Sequence, residues 1–313
     1  MPKKVYAVVI TIVMLFGANI FLALKNSSNY IPANQWLSDQ IEYTNGQAYI
    51  LPIAGPNYIP ILDSDFPRPQ VSARSAVVYD TKSARFLYDE NSNTKLPIAS
   101  LTKVLSSVIV LENLNLDDIV TISERSIKVD KEKQDLYLGE KLSVRNLLKL
   151  MLIESSNDAA YALADHANKS GFNFVEAMNK KSVSVGMKDS FFVDPAGLND
   201  SGYSTAQDLV KLVGYSLNYP EIWDISSEKT AIIESSDERI KHQITSTNRL
   251  LGLIKDIIGG KTGYTDIAGQ CMILVANVPG YPSKIVTIVL GSDDRFGDIQ
   301  KLVDWTRSAY RWK

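Results

Sequence analysis

Three apolar runs near the end of this 313-residue chain, residues 257–262, 271–278 and 284–290, are joined by short turns and read as β-strands. Two shorter β-like runs near the start, residues 75–80 and 85–88, flank Thr81-Lys82-Ser83-Ala84 and read as a hairpin. The stretch between them is helical in pattern. Residues 104–113 are almost continuously apolar, so that helix is expected to be buried all round. Ser143 is a candidate N-cap for a helix over 144–152. A break at residues 154–157 precedes a helix over 158–167, and another is expected over 172–185. Ser204-Thr-Ala-Gln207 reads as a capping box opening a helix over 205–217, and a last helix is expected over 299–310. A short strand is expected over 121–124. Strands at both ends with helices between them predict an α/β (α+β) fold: one antiparallel sheet built from both chain ends, flanked by helices, with a helical subdomain beside it.

The N-terminus carries a different signal. Residues 5–24 form an uncharged apolar run of 20, preceded by Lys3 and Lys4. A helix of that length spans about 30 Å, the thickness of a bilayer's hydrocarbon core. The positive-inside rule leaves the N-terminus in the cytoplasm and exports the rest. A cleaved signal peptide competes with this reading, but Phe16 and Phe21 stand where a small residue is wanted. An uncleaved anchor is therefore expected, on the extracytoplasmic face of the cell membrane, with secretion the alternative if the segment is cut. The domain expectation is an anchor or signal segment over 1–30, a linker rich in Pro, Ser and Asn over 31–70, and a catalytic domain over 71–313.

Composition excludes several classes. The formal net charge is −2, and the part after residue 30 carries 30 basic against 35 acidic residues. No basic face of the kind that binds nucleic acid is implied. One cysteine, Cys271, cannot form an intrachain disulfide, and two histidines are too few for a Cys/His zinc cluster. No glycine-rich phosphate loop occurs. Neither metal nor cofactor is expected.

Three short motifs carry the chemistry. Ser100-Leu-Thr-Lys103 puts a hydroxyl and an amine on one helix face. Lys103 leads an apolar run, where a solvated lysine is out of place; in a dry site its amine can accept the serine proton. Ser155-Ser-Asn157 lies at the break between two helices, where a hydroxyl can relay a proton and an amide can bind a carbonyl. Its plainer reading makes Asn157 the cap of the next helix. Lys261-Thr262-Gly263 lies on a late strand whose edge can bind an extended peptide. The lysine and threonine suit a carboxylate, and Gly263 lets the backbone approach a ligand closely. Each motif alone is weak, but together and in this order they form the site of serine β-lactamases and penicillin-binding proteins.

From about residue 75 to 312 the chain resembles the low-molecular-mass penicillin-binding proteins, the D-alanyl-D-alanine carboxypeptidases of the S11 peptidase family. The resemblance extends to Pro97-Ile-Ala-Ser-Leu-Thr-Lys-Val, Glu154-Ser-Ser-Asn-Asp-Ala, residues 192–198 with Tyr203-Ser-Thr-Ala-Gln-Asp, Thr247-Asn-Arg-Leu-Leu, and Gly260-Lys-Thr-Gly-Tyr-Thr-Asp-Ile-Ala-Gly. It implies a β-lactamase/transpeptidase-like fold. It makes Ser100 the acylated nucleophile and Lys103 its general base. Ser155 would pass a proton to the leaving group, and Asn157 would hold the substrate and Lys103. Lys261 and Thr262 would bind the substrate carboxylate, with Gly263 and Tyr264 completing the site. The backbone N–H groups of Ser100 and Tyr264 would form the oxyanion hole. The implied reaction removes the terminal D-alanine from peptidoglycan stem peptides, and β-lactams would trap Ser100.

Three departures stand out. Tyr264 occupies a position where His is frequent, and Thr247 one where some relatives have Arg. The chain ends at Lys313, just after the last expected helix, which implies neither the extra β-domain nor the C-terminal anchor of many relatives.

Rival readings remain at this level: a D,D-endopeptidase on crosslinks, a β-lactamase with Glu176 activating water, a Ser-His-Asp hydrolase using His166 or His242, and a non-catalytic wall-binding module. Cys271 reads as a small core residue, and the acidic run 234–238 as a solvated loop.

Overall fold

The computed structural model describes residues 59–129, 135–169 and 171–313. The anchor or signal segment expected over 1–30, and the linker as far as residue 58, lie outside them. Among the described residues no helix is long and apolar enough to cross a membrane.

In chain order the first elements are β1 (Pro60–Leu62), β2 (Ser75–Asp80), β3 (Arg85–Glu90), a 3₁₀ turn (Ala99–Leu101) and α1 (Thr102–Asn113). β4 (Ile119–Thr121), α2 (Glu124–Ile127), β5 (Lys141–Ser143), α3 (Val144–Lys149), a π-turn (Leu150–Glu154), α4 (Asn157–Asn168) and α5 (Phe174–Ser184) follow. Then come α6 (Ala206–Ser216), α7 (Pro220–Ser227), β6 (Thr230–Glu234), β7 (Lys241–Thr245), β8 (Ile257–Thr265), β9 (Gly269–Asn277), β10 (Lys284–Ser292), α8 (Arg295–Ala309) and β11 (Tyr310–Trp312).

The main sheet has five strands in the order β3-β2-β10-β9-β8. Every pair is antiparallel, and β2 lies against β10, so the two ends of the domain share one sheet as the sequence predicts. Side chains alternate between its faces. Val77, Ile273, Val286 and Ile288 join the core containing Leu101, Leu105, Val108 and Leu209. Val78, Met272, Leu274 and Val289 pack with Ile299, Leu302 and Val303 of α8. Burial on both faces is the physical reason these strands read as continuous apolar runs.

α1 is the central element. Every residue from Thr102 to Val110 is buried, Lys103 included. Each large apolar side chain buried there contributes roughly 1.5–3 kcal/mol, which offsets the cost of enclosing the amine.

Several local expectations are corrected. The strand expected over 121–124 is Ile119–Thr121; Ser123 then accepts from Ser126 N–H and starts α2. The helix expected over 144–152 begins at the Ser143 cap but widens into the π-turn after Lys149. Asn157 is not the cap of α4: Ser156 is, accepting from Ala159 N–H at 3.2 Å. α6 is capped by Thr205, which accepts from Asp208 N–H at 3.0 Å, so the box expected at 204–207 is shifted by one residue. The acidic stretch 234–238 is part of a hairpin, with Glu234 ending β6 opposite Lys241. β1 pairs with β11, so the chain after α8 closes as a strand against residues 60–62.

Candidate active site

The three motifs come together at the junction of α1, the π-turn and β8. The nucleophile turn is held in an unusual shape. Ala99 has φ +47°, a left-handed conformation that costs a non-glycine residue roughly 1–2 kcal/mol. The loop at Gly197 braces it: a Cβ at Gly197 would stand 2.0 Å from Ala99 O and 2.6 Å from Thr102 Oγ1. Asp194 fixes that loop by accepting from the backbone N–H of Ala196 (2.7 Å) and Gly197 (2.6 Å) with one oxygen, and from Asn199 N–H (2.8 Å) with the other.

One helical turn past Ser100, Lys103 Nζ lies 2.7 Å from Ser100 Oγ and 2.6 Å from Asn157 Oδ1. Lys103 is 0% exposed. Asn157 reaches it because Ser156 takes the capping role, which leaves the amide side chain at the start of α4 for Lys103. The preceding residue, Ser155, has φ +69°, left-handed again. Strained backbone at two of three motifs is the pattern expected of a functional centre.

β8 supplies the third wall. Lys261, also buried, donates to Ser155 Oγ at 2.7 Å and to Thr262 O at 2.8 Å. It therefore sets a positive charge beside Ser155 and the Thr262 backbone. Thr262 Oγ1 donates to Thr247 Oγ1 at 2.7 Å, a hydroxyl pair suited to that binding. Gly263 is where β8 touches the nucleophile turn: a Cβ there would be 2.9 Å from Ile98 O and 3.0 Å from Ser100 N. Close approach is what requires glycine at this position. Tyr264 is 58% exposed, and its hydroxyl donates to Asp266 Oδ1 at 2.8 Å.

All eight sequence-predicted site residues thus lie on the three segments that converge here. The rival residues do not. His242 Nε2 lies 2.6 Å from Glu140 Oε1 and His166 Nε2 lies 3.9 Å from Asp118, each paired with a carboxylate and not with a serine. Glu176 is exposed on α5 and pairs with Lys180 at 2.6 Å. Cys271 sits in the core, and burial pushes its thiol up to about 11. Sequence reasoning missed the bracing role of Gly197, although the Gly-Leu pair was part of the resemblance. It also gave no signal for Arg295, whose Nη1 donates to Gly263 O at 2.8 Å.

The family described as D-alanyl-D-alanine carboxypeptidase matches residues 64–294. The chain is 31% identical over 247 residues to D-alanyl-D-alanine carboxypeptidase DacF of Bacillus subtilis, covering 76% of this chain and 63% of that one. It is 31% identical over 249 residues to a D-alanyl-D-alanine endopeptidase of Pseudomonas aeruginosa, covering 77% and 79%. The structure of penicillin-binding protein D2 from Listeria monocytogenes in the ampicillin-bound form superposes with a TM-score of 0.65 at 31% identity, covering 77% of this chain and 99% of that one.

Proposed function

This chain belongs to the D-alanyl-D-alanine carboxypeptidase family of serine peptidases, and from that premise we propose that it hydrolyses the terminal D-Ala-D-Ala bond of peptidoglycan stem peptides through an acyl-enzyme on Ser100. The observation that carries the reading is the fully buried Lys103 amine, 2.7 Å from Ser100 Oγ and oriented by Asn157. Its place beside Oγ suits it to take the Ser100 proton as Oγ bonds to the penultimate D-Ala carbonyl carbon.

The tetrahedral oxyanion is received by the N–H groups of Ser100 and Tyr264, brought together by the contact at Gly263. Each such donor is worth about 2.7–4 kcal/mol of transition-state stabilisation. When the C–N bond breaks, the departing amine needs a proton. Ser155 relays to it the proton that Lys103 took from Ser100, its hydroxyl made a better donor by the Lys261 ammonium 2.7 Å away. Water then attacks the ester, Lys103 accepts its proton and returns it to Ser100 Oγ as the acyl–oxygen bond breaks, and the acid is released. The Thr262–Thr247 hydroxyl pair and the Lys261 charge hold the substrate's terminal carboxylate. β-Lactams, which present a similar carboxylate and a strained amide, acylate the same serine, a reading supported by the ampicillin-bound Listeria relative. The uncharged run over 5–24 supports attachment to the outer face of the cell membrane.

Intact-mass analysis with a penicillin, followed by assay of D-alanine release, tests this. The wild-type chain is expected to carry a persistent adduct and to release D-alanine, and Ser100→Ala to do neither. Adduct formation by Ser100→Ala would overturn the assignment. Cleavage of crosslinked dimers without free D-alanine release would instead make the chain an endopeptidase.

A further inference from the structure

We propose that Arg295 is a positioning residue for the oxyanion hole, aiming and polarising the Gly263–Tyr264 peptide whose N–H faces the reacting carbonyl. The inference rests on the reading above that Tyr264 N–H is an oxyanion donor.

Arg295 opens α8, and its Nη1 donates to Gly263 O at 2.8 Å. The carbonyl it holds and the Tyr264 N–H belong to one peptide unit. The chain has no cis peptide bond among the described residues, so the two groups point in opposite directions. A guanidinium gripping the oxygen therefore fixes where the N–H points. It also draws electron density toward the oxygen, which makes the N–H a stronger donor, because a charge-assisted hydrogen bond polarises the amide it engages.

The arginine is expensive where it stands. A cation at a helix N-terminus opposes the helix dipole. Burial lowers the pKa of Arg295, with Arg249 adding to the effect. Its Nε is buried with no hydrogen-bond partner, and it forms no ion pair among the described residues. Its partner is a main-chain carbonyl on β8, in the peptide unit that carries the Tyr264 N–H. Its surroundings hold it there. The guanidinium lies 5.1 Å from the Phe296 ring centre. Gln270, opposite Tyr264 in the β8–β9 ladder, accepts from Arg295 N–H at 3.4 Å and donates to Asp293 O at 2.6 Å. The start of α8 is thus tied to the residue facing Tyr264.

The test compares wild type, Arg295→Gln and Arg295→Lys in the full chain. Three quantities are read: kcat and KM for D-alanine release from a D-Ala-D-Ala tripeptide, the penicillin acylation rate, and affinity for a peptide boronic acid that mimics the tetrahedral adduct. Arg295→Gln is expected to lower kcat and acylation about 10- to 100-fold, below the loss of a whole oxyanion donor. KM should stay within about threefold, and boronate affinity should fall in step with kcat, because the lost interaction belongs to the transition state. Arg295→Lys, which keeps the charge but not the planar fork, should recover part of the loss. A raised KM with unchanged kcat would overturn the proposal by placing the guanidinium on the substrate itself, and so would wild-type kinetics. Should Arg295→Gln not fold, Arg295→Lys carries the test alone, with a kcat loss expected and an unchanged kcat refuting it. Failure of the wild-type chain to form any penicillin adduct would refute the reading of the site, and the proposal with it, before any variant is compared.

Discussion

At the scale of single residues, the site depends on two contacts too close for any side chain. Gly263 lies against Ser100 N, and Gly197 against Ala99 O. The second carries a clear prediction. Gly197 has φ +75°, and a methyl group there would overlap a backbone oxygen that the nucleophile turn cannot move without shifting Ser100. Gly197→Ala should cost about 2–4 kcal/mol in chemical denaturation, from backbone strain plus overpacking, and should slow penicillin acylation in the same preparation. An unchanged denaturation midpoint with unchanged acylation would show that the loop does not brace the turn. Lys103 was legible in the sequence because a lysine leading an apolar run is out of place, whereas Ser155 and Lys261 were legible only through the order of the three motifs. Arg295 was not, because it precedes the helix expected over 299–310 and looks like an ordinary surface residue until its carbonyl partner is known.

Among elements, α1, α5 and α6 are joined at one end by a polar cluster. Lys181 Nζ and the hydroxyls of Tyr215 and Tyr219 all converge on Glu112, at 2.8, 2.6 and 2.7 Å. Burial alone would raise the Glu112 pKa, but the bonds from Lys181 and the two tyrosines outweigh it and hold the carboxyl below its usual range. A depressed carboxylate contributes stability that is present above the unfolded-state pKa and lost as pH falls through the folded-state value. Wild type should therefore lose stability through acid pH more steeply than Glu112→Gln, while the variant is the less stable of the two near neutrality. Thermal midpoints measured from pH 3 to 7 check this, and parallel curves would refute it. The same scale shows where patterns fail. The runs forming β9 and β10 were plain because both faces are buried. The β6–β7 hairpin was not, because Ile233 and Ile244 are its buried apolar residues while Ile232 is exposed, so its alternation barely differs from that of a loop. The cap of α4 stayed open in the sequence because Ser156, Asn157 and Asp158 are all good capping residues; Ser156 takes the role, and Asn157 Oδ1 accepts from Lys103.

For the whole molecule, the fold brings both ends of the described domain together. Ile59 and Lys313 exchange two backbone hydrogen bonds, at 2.9 and 3.2 Å, beyond the three register pairs of β1 and β11. Arg68 adds a contact, its guanidinium 4.1 Å from the Tyr88 ring centre. A chain beginning at residue 71 should therefore unfold several degrees below one beginning at residue 59, at about 2–4 °C per kcal/mol for a domain near this size. Its Ser100 should still be acylated by penicillin, because the site draws nothing from β1. Differential scanning calorimetry with parallel labelling decides it; equal midpoints would mean that the pairing contributes nothing.

The β1–β11 ladder also has a mechanical meaning. Its outermost bonds join Ile59 to Lys313, so tension arriving along the chain from upstream of residue 59 meets the ladder at its open end. Such a load peels bonds one pair at a time, as a zipper opens, and does not shear them together. The ladder's three pairs lie outside the five-stranded sheet, so losing them leaves the strand beside Ser100 in its place.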